Sequence, residues 1–160
     1  MIKKFSLLLA CLTLVFLGVG TFDSVEAGPA PPLTYMNIDA ITSDGGGFEW
    51  HYPDQEYMST GYTASGSEIY IVTYVEGYTS GIYPMIFVDG ENVTDQTYRT
   101  REKQYLSGSD NIIYGYLDYR TIPLELFEGQ EQGVITLFPR DLTSPLNTLS
   151  VTRSFNIDWN

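Results

Sequence analysis

The run Glu68-Ile69-Tyr70-Ile71-Val72-Thr73-Tyr74-Val75 constrains the fold of this chain more than any other stretch. Its residues are almost all β-branched or aromatic, and such side chains fit a pleated, half-buried surface better than a helix. Alternation sends Ile69, Ile71, Thr73 and Val75 to one face and Tyr70, Val72 and Tyr74 to the other. Neither face is clearly polar, so the run reads as a central strand covered on both sides. Gly66 and Gly77 punctuate its two ends.

A central strand needs neighbours, and the chain supplies them at short intervals. Residues 33–42 read as a first strand with Met36, Ile38 and Ala40 on one face, ended by the turn Ser43-Asp44-Gly45-Gly46-Gly47. Tyr78-Thr79-Ser80-Gly81 turns the chain into a strand over 83–88, and Asp89-Gly90 is a hairpin turn between Val88 and Val93. In 96–106, Tyr98, Thr100 and Glu102 alternate with Arg99, Arg101 and Lys103. After Ser107-Gly108-Ser109-Asp110, residues 111–121 set Ile113, Gly115, Leu117 and Tyr119 against Ile112, Tyr114, Tyr116, Asp118 and Arg120. Residues 123–132 hold one helical turn, opened by Pro123 and closed at Gly129 or Gly133. Strands over 133–140 and 149–158, joined by a turn at 141–145, complete the domain. Residues 48–65 have little apolar periodicity and read as a long aromatic loop, a kind of segment that is usually functional or mobile. Seven or so short strands, with turn signals about every 8 to 12 residues, predict an all-β fold. The pattern is that of an antiparallel two-sheet sandwich, an immunoglobulin-like Greek key, with a small closed β-barrel as the alternative.

The first 27 residues read as a secretory signal peptide. Lys3 and Lys4 precede an apolar stretch over 5–19, and Val25-Glu26-Ala27 presents small residues at the −3 and −1 positions of a cleavage site. An uncleaved anchor is the alternative, although the apolar stretch is short for a membrane span. Cys11, the single cysteine, lies within this stretch, and its setting Leu8-Leu9-Ala10-Cys11 falls mid-run, where lipoprotein cleavage would be odd. Removal of 27 of the 160 residues leaves 133, with a Pro-rich leader at 28–32 and one domain over 33–160. A chain of that size buries about two-thirds of its unfolded surface. Its stability then rests on a core and not on disulfides, which suits a bacterial exported protein better than an animal one. Of the 20 acidic side chains 18 lie beyond residue 27, as do six of the eight basic ones, so the mature charge is −12. That charge opposes nucleic acid and anionic membranes as partners and keeps the chain soluble.

Catalytic and metal chemistry find little footing in the sequence. His51 is the only histidine, and Glu49-Trp50-His51-Tyr52 matches no nucleophile or zinc pattern. Glu49, Asp54 and Glu56 lie near it and are the best available carboxylates for a small hydrolase. Asp89-Gly90-Glu91-Asn92 with Asp95 clusters oxygen ligands, but without EF-hand spacing, so it reads as a solvated hairpin tip. No metal or cofactor is expected. Arg99, Arg101 and Lys103 share one face of one strand and read as charges that guard an edge, with an anion reader as the functional alternative.

Aromatic side chains are the richest feature: 13 Tyr, two Trp and eight Phe exceed what a core of this size requires. Trp50, Tyr52, Tyr57 and Tyr62, with His51 among them, are the candidate ligand-binding residues, a stacking platform for sugar rings or a peptide. Pro31-Pro32-Leu33-Thr34, followed by Ile38-Asp39-Ala40-Ile41-Thr42-Ser43-Asp44-Gly45-Gly46, resembles the start of the YolA-like family of small secreted bacterial proteins. The resemblance covers one strand and its turn; it implies a secreted protein of unknown activity and carries over no catalytic residue. The expectation is a secreted, non-enzymatic binding or surface-associated protein that contacts cell-wall or other polysaccharide, or a surface protein, through residues 48–62. Edge-strand self-assembly into an extracellular matrix, and hydrolysis by acids near His51, are the alternatives.

Overall fold

Apolar runs pair along most of their length in the computed structural model, which describes residues 31–78, 85–138 and 149–160. The expected signal segment 1–27, the start of the leader, residues 79–84 of the expected turn and strand, and Arg140 with the turn at 141–145 lie outside the described residues. The strands are β1 (Tyr35–Ser43), β2 (Ser59–Ser65), β3 (Glu68–Glu76), β4 (Met85–Val88), β5 (Glu91–Asn92), β6 (Tyr98–Ser107), β7 (Ile113–Pro123), β8 (Gln132–Phe138) and β9 (Val151–Asp158). They form two sheets, ordered β1-β3-β7-β6 and β2-β9-β8-β4-β5. This is the expected sandwich, open at its edges and not a closed barrel.

β3 lies between β1 and β7, antiparallel to both and in unbroken register with β7. Its Ile69, Ile71 and Val75 join Ile38 and Ile122 against Ile86, Ile135, Leu137 and Phe155 of the facing sheet. Phe127, from the 3-10 turn Leu124–Phe127, meets Phe155 edge-on at 5.2 Å. That turn is the one expected after Pro123. Each of these large side chains contributes about 2 kcal/mol by leaving water. Gly133 of β8 lies opposite Phe155 of β9, and the ring rests where a Cβ would stand, 2.2 Å from its Cζ. The Asp89-Gly90 hairpin forms as read, with Val88 paired to Glu91 and positive φ at both turn residues.

Three features depart from the sequence reading. First, residues 59–65 are not loop but strand β2, parallel to β9. Thr60 and Ala64 are buried there, and Thr60 Oγ1 donates to the Ser154 carbonyl at 3.0 Å. Second, a bulge between Ile38 and Ala40 inserts Asp39 into β1 and reverses the alternation beyond it. Met36 and Ile38 therefore face the core, while Ala40 packs with Val72 and Tyr119 on the outer face. Third, β6 is irregular between Arg99 and Arg101 and again between Arg101 and Gln104, so Arg99, Arg101 and Lys103 do not share one face. Arg99 Nε reaches the buried Asp118 at 3.2 Å, beside the Arg120–Asp118 pair at 3.1 Å. Lys103 Nζ lies 3.8 Å over Tyr116, a core residue, and Arg101 lies over Tyr119 on the outer face.

Asp44 closes the corner where β1, β2 and β3 meet. Its Oδ1 accepts the backbone N–H groups of Gly45, Ser67 and Glu68 at 3.1, 2.9 and 3.0 Å, and its Oδ2 accepts the Ser67 hydroxyl at 2.6 Å. Burial alone would raise its pKa, but these four hydrogen bonds outweigh burial and hold it below the ordinary aspartate value.

Candidate functional site

The second face of β3 is apolar, and something must cover it. Part of the cover is the chain just beyond β1. Residues 44–47 turn, Phe48 takes a left-handed conformation (φ 61°), and the chain returns antiparallel to β1. Ile41 and His51 exchange both backbone hydrogen bonds at 2.9 Å, and Thr42 Oγ1 donates to the Glu49 carbonyl at 2.8 Å. Extended geometry at this bridge sends Trp50 and Tyr52 to one side and His51 to the other. Phe48 leans on Tyr70, with ring centroids 5.4 Å apart.

Trp50 and Tyr52 border an open cleft of about 430 Å³ on the outer face of the β1-β3-β7-β6 sheet. Its floor is a single cross-strand row. Ala40 pairs with Val72, Val72 with Tyr119, and Tyr119 with Arg101, so the row crosses all four strands. Leu117 and Tyr70 flank it, Asp39 stands at the β1 end and Arg101 at the β6 end. The guanidinium carbon of Arg101 is 3.4 Å from the centroid of Tyr119. Tyr119 is fixed in turn by its hydroxyl, which donates to Gln104 Oε1 at 3.1 Å. Glu68 accepts the Tyr70 hydroxyl at 2.5 Å and that of Tyr98 as well. The hydrogen bond to Glu68, then burial, pushes Tyr70 up to about 12, so it stays a neutral phenol with its proton committed to Glu68.

The five candidate residues from the sequence divide between three places. Trp50 and Tyr52 are at the cleft, 43% and 70% exposed. Tyr57 is also exposed but is not part of the cleft lining. His51 and Tyr62 serve the seam between β1 and β2. His51 Nε2 is 2.6 Å from the Thr60 carbonyl, so that nitrogen carries the proton, and the ring lies 5.8 Å from Tyr62. Tyr62 shares a 2.9 Å hydroxyl hydrogen bond with Ser43 and packs on the core. Glu49, Asp54 and Glu56 are exposed and do not line the cleft, where Asp39 is the only carboxylate. Among the described residues no group of three or more His, Cys, Asp and Glu side chains is placed to hold a metal ion.

The loop that carries the aromatic pair is tied down. Tyr35 donates to Gln55 Oε1, and Arg153 of β9 donates to both the Gln55 carbonyl (3.3 Å) and Asn37 Oδ1 (2.6 Å). The Met58 carbonyl accepts from Ser154 N–H at 2.9 Å. Fixed anchors of this kind lower the entropy lost when a ligand binds. The floor residues Ala40, Val72, Leu117 and Tyr119 escaped the sequence reading of the site, although the apolar second face of β3 was a signal for them, and Arg101 entered it only as one of three edge charges with an anion reader as the alternative. Among the described residues no helix is long and apolar enough to cross a membrane.

A family model described as "Domain of unknown function (DUF4879)" matches residues 28–157 of the chain. Among curated proteins none matches it.

Proposed function

The chain belongs to the DUF4879 family, a domain of unknown function, and we propose that it is an exported, non-enzymatic binding protein whose contact site is this cleft. The single observation that carries the reading is the convergence of Trp50 and Tyr52 on a rigid apolar floor ending in Asp39 and Arg101. Exposed aromatic faces over an aliphatic row suit the C–H faces of sugar rings, and charged groups at the rim suit hydroxyl and acidic substituents. The ligand class is cell-wall or other polysaccharide. Export rests on the signal-like segment 1–27. Within that reading the sandwich is an immunoglobulin-like scaffold that displays a site on a sheet face.

Two observations weigh against the other readings. The β6 edge carries Arg99, Arg101, Glu102 and Lys103 and is broken by irregularities, the devices that discourage strand addition in self-assembly. His51 spends Nε2 on a backbone carbonyl and points away from the cleft, which leaves a hydrolase without an organised base there. The test is retention of the purified protein on insoluble cell wall and polysaccharides, compared with a Trp50→Ala/Tyr52→Ala variant of matched circular dichroism. Retention of the wild type with loss of the variant is expected. Equal retention of both, or none of either, would overturn this assignment of the site.

A further inference from the structure

We infer that the cleft takes a saccharide bearing a carboxylate, with Arg101 as the group that binds the acid; this rests on the binding role proposed above. The other described basic side chains beyond the signal-like segment are engaged elsewhere. Arg99 and Arg120 meet Asp118, Arg153 bonds Asn37 and the Gln55 carbonyl, and Lys103 covers Tyr116 on the core side. Arg101 alone among them lines the cleft, and among the described residues no carboxylate forms an ion pair with it. In a chain of net charge −12, an arginine held in an aromatic cleft without an acid beside it is poised for an incoming one.

The geometry specifies the acid further. A guanidinium lying against the Tyr119 ring keeps its N–H groups at the edge of its own plane, where they match the two oxygens of a planar carboxylate. The negative field of the whole chain costs a dianion more than a monoanion, which favours carboxylate over phosphate. Asp39 stands at the opposite end of the floor row, three strand spacings from the Arg101 backbone, or about 14 Å, and nearer to its guanidinium, which reaches back over Tyr119. There it accepts hydrogen bonds from hydroxyl groups, and charged groups at the two ends of the row suit an oligosaccharide better than a single sugar.

The experiment uses the protein from residue 28 onward, titrated calorimetrically with a monoanionic trisaccharide, glucuronosyl-xylobiose, and with its methyl ester, which removes the charge and keeps the sugar. Wild type is expected to bind the acid at least about tenfold more tightly than the ester. Arg101→Gln loses that preference, and Arg101→Lys keeps part of it. Equal wild-type affinity for acid and ester overturns the carboxylate assignment while the saccharide reading stands. So does an undiminished preference in Arg101→Gln, or an equal loss of both ligands, which would make Arg101 a support for Tyr119. No binding of either sugar overturns the inference; the cell-wall retention test then decides separately whether the binding role survives.

Discussion

Replacing Asp44 by alanine should lower stability by an amount that depends on pH in a defined direction. The side chain accepts four hydrogen bonds, three from backbone N–H groups and one from Ser67. Such bonds contribute about 1 kcal/mol each, and water replaces part of that at a half-exposed corner, leaving about 2 kcal/mol. For a domain of this size that corresponds to a fall of roughly 7 °C in Tm. Because the folded pKa lies below the ordinary 3.8, the stabilisation is present in full above that value and is lost as pH falls through the folded pKa. Thermal unfolding followed by circular dichroism from pH 7 to pH 2 should show the gap between wild type and Asp44→Ala narrowing below about pH 4. Asp44→Asn should lie between them at pH 7. A gap that stays constant to pH 2, or one near zero at pH 7, would refute the view that the ionised carboxylate ties this corner together.

Two further outcomes follow from the packing. Gly133→Ala places a Cβ 2.2 Å from the buried Phe155 ring, itself wedged against Phe127, and should cost about 1–3 kcal/mol by overpacking, read as a lower urea midpoint; an unchanged midpoint would show that the ring moves freely. Lys103 is the only lysine beyond residue 4, and burial, offset by Asp118 and reinforced by Arg99 and Arg120, lowers it to about 8. Folding therefore releases its proton between about 8 and 10.5, so stability should rise with pH across that window, and an NMR titration of its side chain with a midpoint near 10.5 would contradict the packing over Tyr116.

Much of the architecture could be read from local pattern because local pattern is what specified it. The alternation of β7, the two-residue turn at Asp89-Gly90 and the doubly apolar β3 each express a constraint contained within about ten residues. The sandwich followed from these. The site was less legible, for reasons that can be named. β2 is built from Ser, Thr, Gly, Tyr and a single Ala and gains its strand character from Ser154 to Asp158, far along the chain. A bulge has no single-residue signature, so the insertion of Asp39 that turns Ala40 outward, and the irregularities that separate Arg101 from Arg99 and Lys103, could not be seen in the alternation. Trp50 and Tyr52 are candidates by their chemistry, and both border the cleft. His51 between them points to the seam, because one residue of register in an extended segment changes its side, and Tyr62 meets that seam from β2.

The parallel pairing of β2 with β9 also sets an order of events. The aromatic loop lies between β1 and β2, and its anchors Arg153 and Ser154 belong to the last strand. The hairpins of β4 and β5 and of β6 and β7 can form from sequence neighbours, but β2 has to wait for a partner more than ninety residues downstream. Loop closure of that length makes such contacts slow and late. A chain emerging N-terminus first from a ribosome thus has every strand of the β1-β3-β7-β6 sheet, and with it the cleft floor, before its second sheet is complete, and the eight-residue β9 then joins β2 to β8 and ties down the loop beside the cleft.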